Sequence, residues 1–296
     1  MGILGKLPNK ARRRYRARGY DIFRSVLPID LVDQVASLAR TLMVASKDKH
    51  LRQSGRAEVN EFFPGTSLIC NSPCNLHLPL SLELHALTAA IQELITTSAL
   101  AARLSELDGA KHHHINQTLL FFAAQTTAPH IDSWAVDTVP HGGAHTLWIP
   151  LQDMEHQSGI PAVVPWPVGK LISEQEFGLS TGAPHADRYQ RYQVALTEAI
   201  SVGTPEVFTA LARRGDVLVW SSLTPHFTLP SWPFPRERLS MQVLLWPAGV
   251  KWGSFTAQPD RFPDTRMLAA TDRFSFFVPE TIHQQFGIGE MLPRPS

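Results

Sequence analysis

The stretch APHIDSW, residues 128–134, sets a histidine and an aspartate two positions apart. Alternate residues of an extended chain point to the same side, so His130 and Asp132 can be aimed at one point. Pro129, just before them, suits a strand edge. A His-x-Asp triplet is common by chance and one segment offers only two neighbours, so a metal reading needs a third ligand from elsewhere. Among the thirteen histidines, His226 in SSLTPHFTLP stands out. It follows the apolar run DVLVWSS, opened by the turn RRGD, and is expected at the far end of that strand. Two histidines and one carboxylate on separate segments are the ligand set of a mononuclear non-haem Fe(II) site with positions left open. Zinc accepts the same donors, so these three residues alone do not choose the metal.

A later strand narrows the chemistry. In RERLSMQVLL (residues 236–245), Leu239, Met241, Val243 and Leu245 share one face, which suits a core. Arg236, Arg238, Ser240 and Gln242 share the other. An arginine and a hydroxyl on the cavity face of a strand suit a carboxylate: the guanidinium fork grips both oxygens and the hydroxyl adds a donor. A zinc hydrolase has no special need of such a pair. An iron enzyme whose co-substrate ends in a carboxylate does.

The remaining candidates read more plainly. KHHH (residues 111–114) is consecutive, so its ring vectors diverge, and a polar strand entry is expected. His141 and His145 lie in the Gly-rich link PHGGAH, read as a loop bordering the site, and His185 needs no special role. Cys70 and Cys74 in CNSPC read as idle reduced thiols, since no second Cys pair exists to complete a metal site.

These residues need elements to hold them. Helical spacing runs through residues 27–43, with Asp30 as the expected cap, and again through residues 80–107. Between them the chain reads as loop with at most a short strand. Short β-type runs follow at residues 116–124, 144–153, 159–166, 216–222 and 238–247, separated by turn residues. Residues 167–214 form an insertion with one helical segment, HADRYQRYQVALTEAI, a possible lid over the site. After Pro247 no period is evident. Strands that do not alternate with helices argue against a βαβ fold and for a β-sandwich or jelly roll buttressed by helices. One domain is expected over 1–296, with residues 1–18 as a basic, solvated tail. The 44% hydrophobic content and net charge of +1 give no reason to expect nucleic acid as a partner. No apolar run reaches the ~18 residues of a spanning helix. The N-terminal stretch lacks the apolar core of a secretion signal, so a cytoplasmic location is expected.

Taken in order, HID, TLWIPLQD, SGIPAVVPW, RRGD, TPH and RERLS resemble the phytanoyl-CoA dioxygenase family of Fe(II)/2-oxoglutarate-dependent oxygenases. RGYDIFRSVLPIDLVDQVASL also resembles that family's opening strand and first helix. The resemblance implies a mainly β fold with flanking helices and a double-stranded β-helix core of the jelly-roll or cupin type. It implies Fe(II) on His130, Asp132 and His226, with 2-oxoglutarate and O2 as co-substrates and succinate and CO2 as products. It favours Arg236 for the co-substrate carboxylate, with Arg238 the alternative and Ser240 assisting. Trp148 is expected to stack near the co-substrate, and Gln117 and Phe121 to point into the cavity. The carboxylate at Asp132 favours hydroxylation over halogenation, because related halogenases carry a small residue there.

Two segments depart from the family pattern: PWPVGK after the Gly159 run and FTLPSWPFP after His226. With the insertion, Trp166, Trp232 and Phe234, they lead to the expectation of a small apolar metabolite, such as a lipid or terpenoid, as substrate. A metal-binding barrel without turnover and a zinc-dependent hydrolase on a jelly roll are the rival readings.

Overall fold

Alternation of side chains across strands decides which half of this chain faces the helices and which faces the site. The computed structural model describes residues 10–170, 185–202, 206–253 and 262–280. The helices are α1 (Lys10–Arg18), α2 (Ile29–Leu38), α3 (His85–Ile95), α4 (Ser98–Asp108) and α5 (His185–Val202). The first strands are β1 (Tyr20–Phe23), β2 (His50–Leu51), β3 (Ala57–Glu58), β4 (His113–Ala123) and β5 (Thr127–His130). Next come β6 (Thr138–Val139), β7 (His145–Pro150), β8 (Pro161–Val163), β9 (Phe208–Thr209) and β10 (Val217–Ser221). The chain then runs through β11 (His226–Thr228), β12 (Glu237–Pro247), β13 (Lys251–Trp252), β14 (Thr265–Ala269) and β15 (Phe274–Pro279).

Seven strands form the major sheet in the order β1-β10-β7-β12-β4-β15-β14, and four form the minor sheet in the order β5-β11-β8-β9. On the outer face of the major sheet, Leu147, Ile149, Val217, Val219, Leu239, Met241, Val243 and Leu245 join α2, α3 and α4 in one buried apolar core. Each fully buried side chain of this kind contributes about 1.5–3 kcal/mol. On the inner face, Trp148, Leu218 and Trp220 pack with Ile160 and Val163 of the second sheet. This is the jelly-roll, double-stranded β-helix arrangement expected from the order of the strands. Among the described residues, no helix is long and apolar enough to cross a membrane.

Several local expectations change. Asp30 does not cap α2; Pro28 occupies the N-cap and Asp30 lies in the first turn, where its charge suits the helix dipole. The chain past Leu38 continues as a π-helical turn, Ala39–Met43. The long helical stretch at 80–107 is two helices, because Thr97 turns extended and accepts from the Leu100 N–H as the cap of α4. Residues after Pro247 supply two strands of the major sheet. One of them, β15, pairs with β4 in parallel, where Phe274 meets His113.

The basic N-terminal segment is the larger correction. Residues 10–18 are a helix, not a solvated tail, because one apolar side of that helix is docked. Tyr15 is buried, and its hydroxyl lies 2.7 Å from His145 Nδ1. The chain then turns at Gly19, at φ +74°, where a Cβ would sit 2.2 Å from the Trp166 carbonyl oxygen. Residues 1–9 lie outside the described part. So do residues 171–184 and 203–205 of the 167–214 insertion, of which α5 is the main described element.

Candidate metal and co-substrate site

His130 closes β5, and Ile131 stays extended at φ −118° and ψ 142°. Asp132 then opens a single 3-10 turn, Asp132–Trp134. The aspartate therefore leaves the strand, yet the one extended residue between them is enough to keep both side chains on one side. His226 does not end β10, as expected. It lies one turn later, at the start of β11 in the other sheet, directly paired with His130. A tight turn thus carries the chain from the major sheet to the minor one, and the third candidate ligand arrives by backbone pairing with the first.

One donor atom from each of His130, Asp132 and His226 lies within 4.8 Å of the others. The two imidazole centroids are 4.2 Å apart. His130 Nδ1 lies 2.9 Å from the Ala128 carbonyl oxygen, and His226 Nδ1 lies 3.0 Å from that of Thr224. A carbonyl only accepts, so each Nδ1 carries the proton and each Nε2 lone pair is left for the centre. Asp132 is divided in the same way. Its Oδ2 accepts from Thr146 Oγ1 at 2.6 Å and from Trp220 Nε1 at 2.9 Å, while Oδ1 lies 3.6 Å from His226 Nε2. Burial pushes the His226 imidazole down to about 4, with the nearby Asp132 charge opposing and His130 adding to the shift. Its neutral form is the one that ligates metals.

The supports reach further out. Gly19 O accepts from Ser221 N and from Thr224 Oγ1, both at 2.8 Å, which pins the turn before His226 to the N-terminal helix corner. Asp216, in the RRGD turn, accepts from Ser25 N, Arg213 N and Arg24, fixing the start of β10. Ser133 Oγ, Ser222 Oγ and the Gly142 N–H all donate to the fully buried Asp137 carboxylate. From α5, Tyr192 presents its hydroxyl oxygen 2.5 Å from the Ile131 N–H and stacks on Trp134. This packing role of the insertion helix had no signal in the sequence beyond its helical period.

A cavity of about 280 Å³ opens beside the three residues, with Trp148, Trp220, Phe121 and Arg238 among its walls. Arg238 is 4% exposed, and its guanidinium carbon lies 5.7 Å from the Phe121 ring centroid and 6.0 Å from that of Trp148. Nη1 donates to the Gly159 carbonyl at 2.7 Å, whereas Nε has no partner. Burial pushes this guanidinium down to about 10. Ser240, two residues on and on the same strand face, is fully buried, and its Oγ also lacks a partner.

Arg236 is elsewhere. It precedes β12, pairs with Glu155 on the surface and donates to the Trp232 carbonyl. The register of β12 on β4 shifts between Glu237 and Ser240, so strand parity does not extend back to residue 236. Of the two arginines, only Arg238 lines the cavity. Trp148 and Phe121 line it as expected. Gln117 does not: it is absent from the cavity lining, and four residues down β4 from Phe121 is about 13 Å at strand rise.

The expected aromatic walls are also displaced. Trp166 is docked near α1, with its Nε1 donating to the Lys170 carbonyl. Trp232 is 74% exposed, and Phe234 packs edge-on against Phe63. The outer cavity wall comes instead from residues 52–72, a segment with one short strand, β3, that supplies Gln53, Ser54, Glu58 and Ser72. Three other histidines have carboxylate partners away from the three candidate ligands. His145 Nε2 and His113 Nε2 both lie 2.9 Å from Asp108 Oδ2 on the helix side of the sheet. His141 lies beside Asp137, with a pKa raised by that hydrogen bond. Cys70 and Cys74 are both free thiols.

The fold and this constellation together define the class of the double-stranded β-helix oxygenases. A family model described as phytanoyl-CoA dioxygenase (PhyH) matches residues 15–231. The chain belongs to that family and is a non-haem iron, 2-oxoglutarate-dependent oxygenase. Solved structures support the fold. The epimerase SnoN, in complex with Fe3+, alpha ketoglutarate and nogalamycin RO, is 19% identical, with 90% of this chain and 97% of that one covered at a TM-score of 0.59. The carbocyclase SnoK from nogalamycin biosynthesis is 16% identical over 83% of this chain and 87% of that one, at 0.56. EctD from S. alaskensis with bound Fe is 15% identical over 84% and 80%, at 0.53. Among curated proteins, none matches the sequence significantly.

Proposed function

We propose that the protein hydroxylates a small molecule, holding Fe(II) on His130 Nε2, Asp132 Oδ1 and His226 Nε2 and the far carboxylate of 2-oxoglutarate on Arg238 and Ser240. The observation that carries this reading is the convergence of the three donor atoms beside a buried, incompletely satisfied guanidinium. The donor set is that of a facial triad, which leaves coordination positions for co-substrate and dioxygen. The unpartnered Arg238 Nε and Ser240 Oγ are the hydrogen-bonding capacity a carboxylate takes up, so these residues fit 2-oxoglutarate.

When bound, Fe(II) with 2-oxoglutarate and O2 supplies oxidative decarboxylation to succinate and CO2, coupled to hydroxylation of a substrate C–H. The chain supplies the rest. The Ala128 and Thr224 carbonyls keep both imidazoles in the ligating tautomer. Thr146 and Trp220 hold Asp132 so that a single oxygen faces the centre. Arg238 orients the co-substrate by a two-point grip, and Trp148, Phe121 and Trp220 keep water from its flanks. A carboxylate at position 132 fills the place a halide needs, which favours hydroxylation. A zinc hydrolase would have no use for Arg238 in the cavity wall with the unpartnered Ser240 hydroxyl two residues along the same strand face. In this reading the whole chain acts as one oxygenase domain in the cytoplasm, where Cys70 and Cys74 stay reduced. Its likeness to SnoN and SnoK supports a role in secondary metabolism. Trp166, Trp232 and Phe234, three supports for an apolar substrate, do not line this cavity; the fourth, the 167–214 insertion, lies partly outside the described residues.

Adding Fe(II) and then 2-oxoglutarate to the metal-free protein without oxygen is expected to give a weak visible charge-transfer band, absent in His226→Ala. Tight zinc binding with no such band would sink the reading.

A further inference from the structure

We infer that the mouth of this cavity takes the ammonium group of a small hydroxylated amine, with Glu58 as its counter-ion. The inference rests on the oxygenase reading and adds the substrate class. A cavity of about 280 Å³ is at the small end of the ~300–1,000 Å³ that single ligands occupy. With the co-substrate on Arg238 at its floor, the substrate must extend into the mouth, and the mouth is polar.

Two opposite charges, Glu58 and Arg52, stand at the mouth. Among the described residues Glu58 is the only acidic one lining the cavity, and its carboxylate has no hydrogen bond or ion pair. The cation beside it is already committed. Arg52 gives Nε and Nη2 to the Glu58 carbonyl, Nη2 also to Asn60 Oδ1, and Nη1 to the Asn71 carbonyl. Four of the five Arg52 N–H donors are thus committed within residues 58–71, which leaves one Nη1 hydrogen.

Gln125 donates one amide N–H to the Cys70 carbonyl at 2.7 Å, which leaves its oxygen as an acceptor and its second N–H as a donor. Gln53 and Ser72 add groups that accept from and donate to hydroxyls. Groups that both accept and donate, beside one carboxylate with no direct partner, suit a ligand that carries hydroxyls and an ammonium. They leave a hydrocarbon chain facing unsatisfied polar groups, at a cost in affinity.

Glu58 has a second influence that the test must separate. Burial lowers the Arg52 pKa, and Glu58 is the charge that most offsets it. A loss of activity in Glu58→Gln therefore proves nothing by itself, and selectivity between matched ligands is the readout.

The full chain, loaded with Fe(II) and 2-oxoglutarate, is assayed for succinate release with glucosamine, galactosamine and 1-amino-1-deoxysorbitol. Their N-acetyl counterparts and n-alkanols of similar size are run beside them. The amines are expected to stimulate release at concentrations at least tenfold lower than the N-acetyl forms do. That ratio should collapse towards one in Glu58→Gln and survive in Glu58→Asp. N-acetyl forms or alkanols acting as well as the amines, no amine acting at all, or an unchanged ratio in Glu58→Gln would each overturn the proposal. The anaerobic visible band is recorded in parallel. If the wild type lacks it, the oxygenase reading has failed, and this proposal with it. If the band is present without amine selectivity, the substrate class alone is wrong.

Discussion

Replacing Arg238 by methionine should move co-substrate affinity and fold stability in opposite directions. In the protein without co-substrate the guanidinium is buried against two aromatic rings, with one carbonyl partner and no counter-ion among the described residues. Methionine fills a similar volume. It forfeits a charge-assisted hydrogen bond of about 1.5–3 kcal/mol but removes a buried charge whose desolvation costs several kcal/mol. The ligand-free variant should therefore unfold at a urea midpoint no lower than the wild type. Binding is another matter. Removing one partner of a buried, hydrogen-bonded charge pair costs about 2–5 kcal/mol, which converts to about 30- to 5,000-fold in 2-oxoglutarate affinity. Titration of the anaerobic visible band measures that affinity. Thermal melts with co-substrate at a hundred times the wild-type Kd add a check, since wild type gains about 2.7 kcal/mol there and the variant should gain about 0.9 kcal/mol or less. Arg236→Met is the control: it breaks a surface pair worth about 0–1 kcal/mol and should leave the affinity alone. An Arg238→Met affinity within threefold of wild type, or a large loss in Arg236→Met instead, would refute the assignment. A ligand-free destabilisation beyond about 3 kcal/mol would refute the reasoning about uncompensated charge.

Trp220→Phe keeps an aromatic ring, though a smaller one, and removes the indole N–H that holds Asp132 Oδ2. Fe(II) affinity, measured by competition with a chelator, should fall about 10- to 100-fold, as for other groups that orient metal ligands. Thr97→Ala removes the cap that satisfies the Leu100 N–H and should cost about 1 kcal/mol in denaturant unfolding, with metal affinity unchanged. Burial acts to raise the Asp108 pKa, but hydrogen bonds from His113 and His145 outweigh it and hold the carboxyl well below the usual range. A depressed carboxylate contributes stability above its unfolded pKa of about 3.9 and loses it as pH falls towards the folded value. Asp108→Asn should therefore be less stable than wild type at pH 7, and the gap should narrow below about pH 4 in urea titrations.

Much of the site could be read from types and spacing, and its failures have physical causes. His130 and Asp132 needed only one extended residue between them to share a side, so a two-residue rule sufficed. Placing His226 needed the fact that it starts a new strand in the second sheet, and no local pattern encodes which sheet a three-residue strand joins. Parity along β12 sorted Leu239, Met241, Val243 and Leu245 from Arg238, Ser240 and Gln242 correctly. It failed at Arg236 because a bulge interrupts the register, and bulges carry little sequence signature. The cavity mouth was illegible because loop 52–72 has no period. It is shaped by Arg52 bonding to the backbone carbonyls of Glu58 and Asn71 and to the side-chain amide of Asn60. Aromatic residues at 166, 232 and 234 looked like walls only while their positions were unknown. The N-terminal helix was misread because its charge dominates its composition, while the single residue that docks it is Tyr15.

The central strand β12 has a bearing on how this protein can change over time. It runs between β4 and β7, and its odd-numbered residues from 239 to 245 fill the apolar core, while Arg238, Ser240 and Gln242 face the site. Inserting or deleting one residue within it would exchange the two sets, putting an arginine into the core and leucines on the cavity floor. Length variants there should be lost as misfolded protein before any altered catalysis can be selected. Divergence of specificity is thereby channelled into cavity-lining residues outside β12, such as Gln53, Ser54 and Ser72.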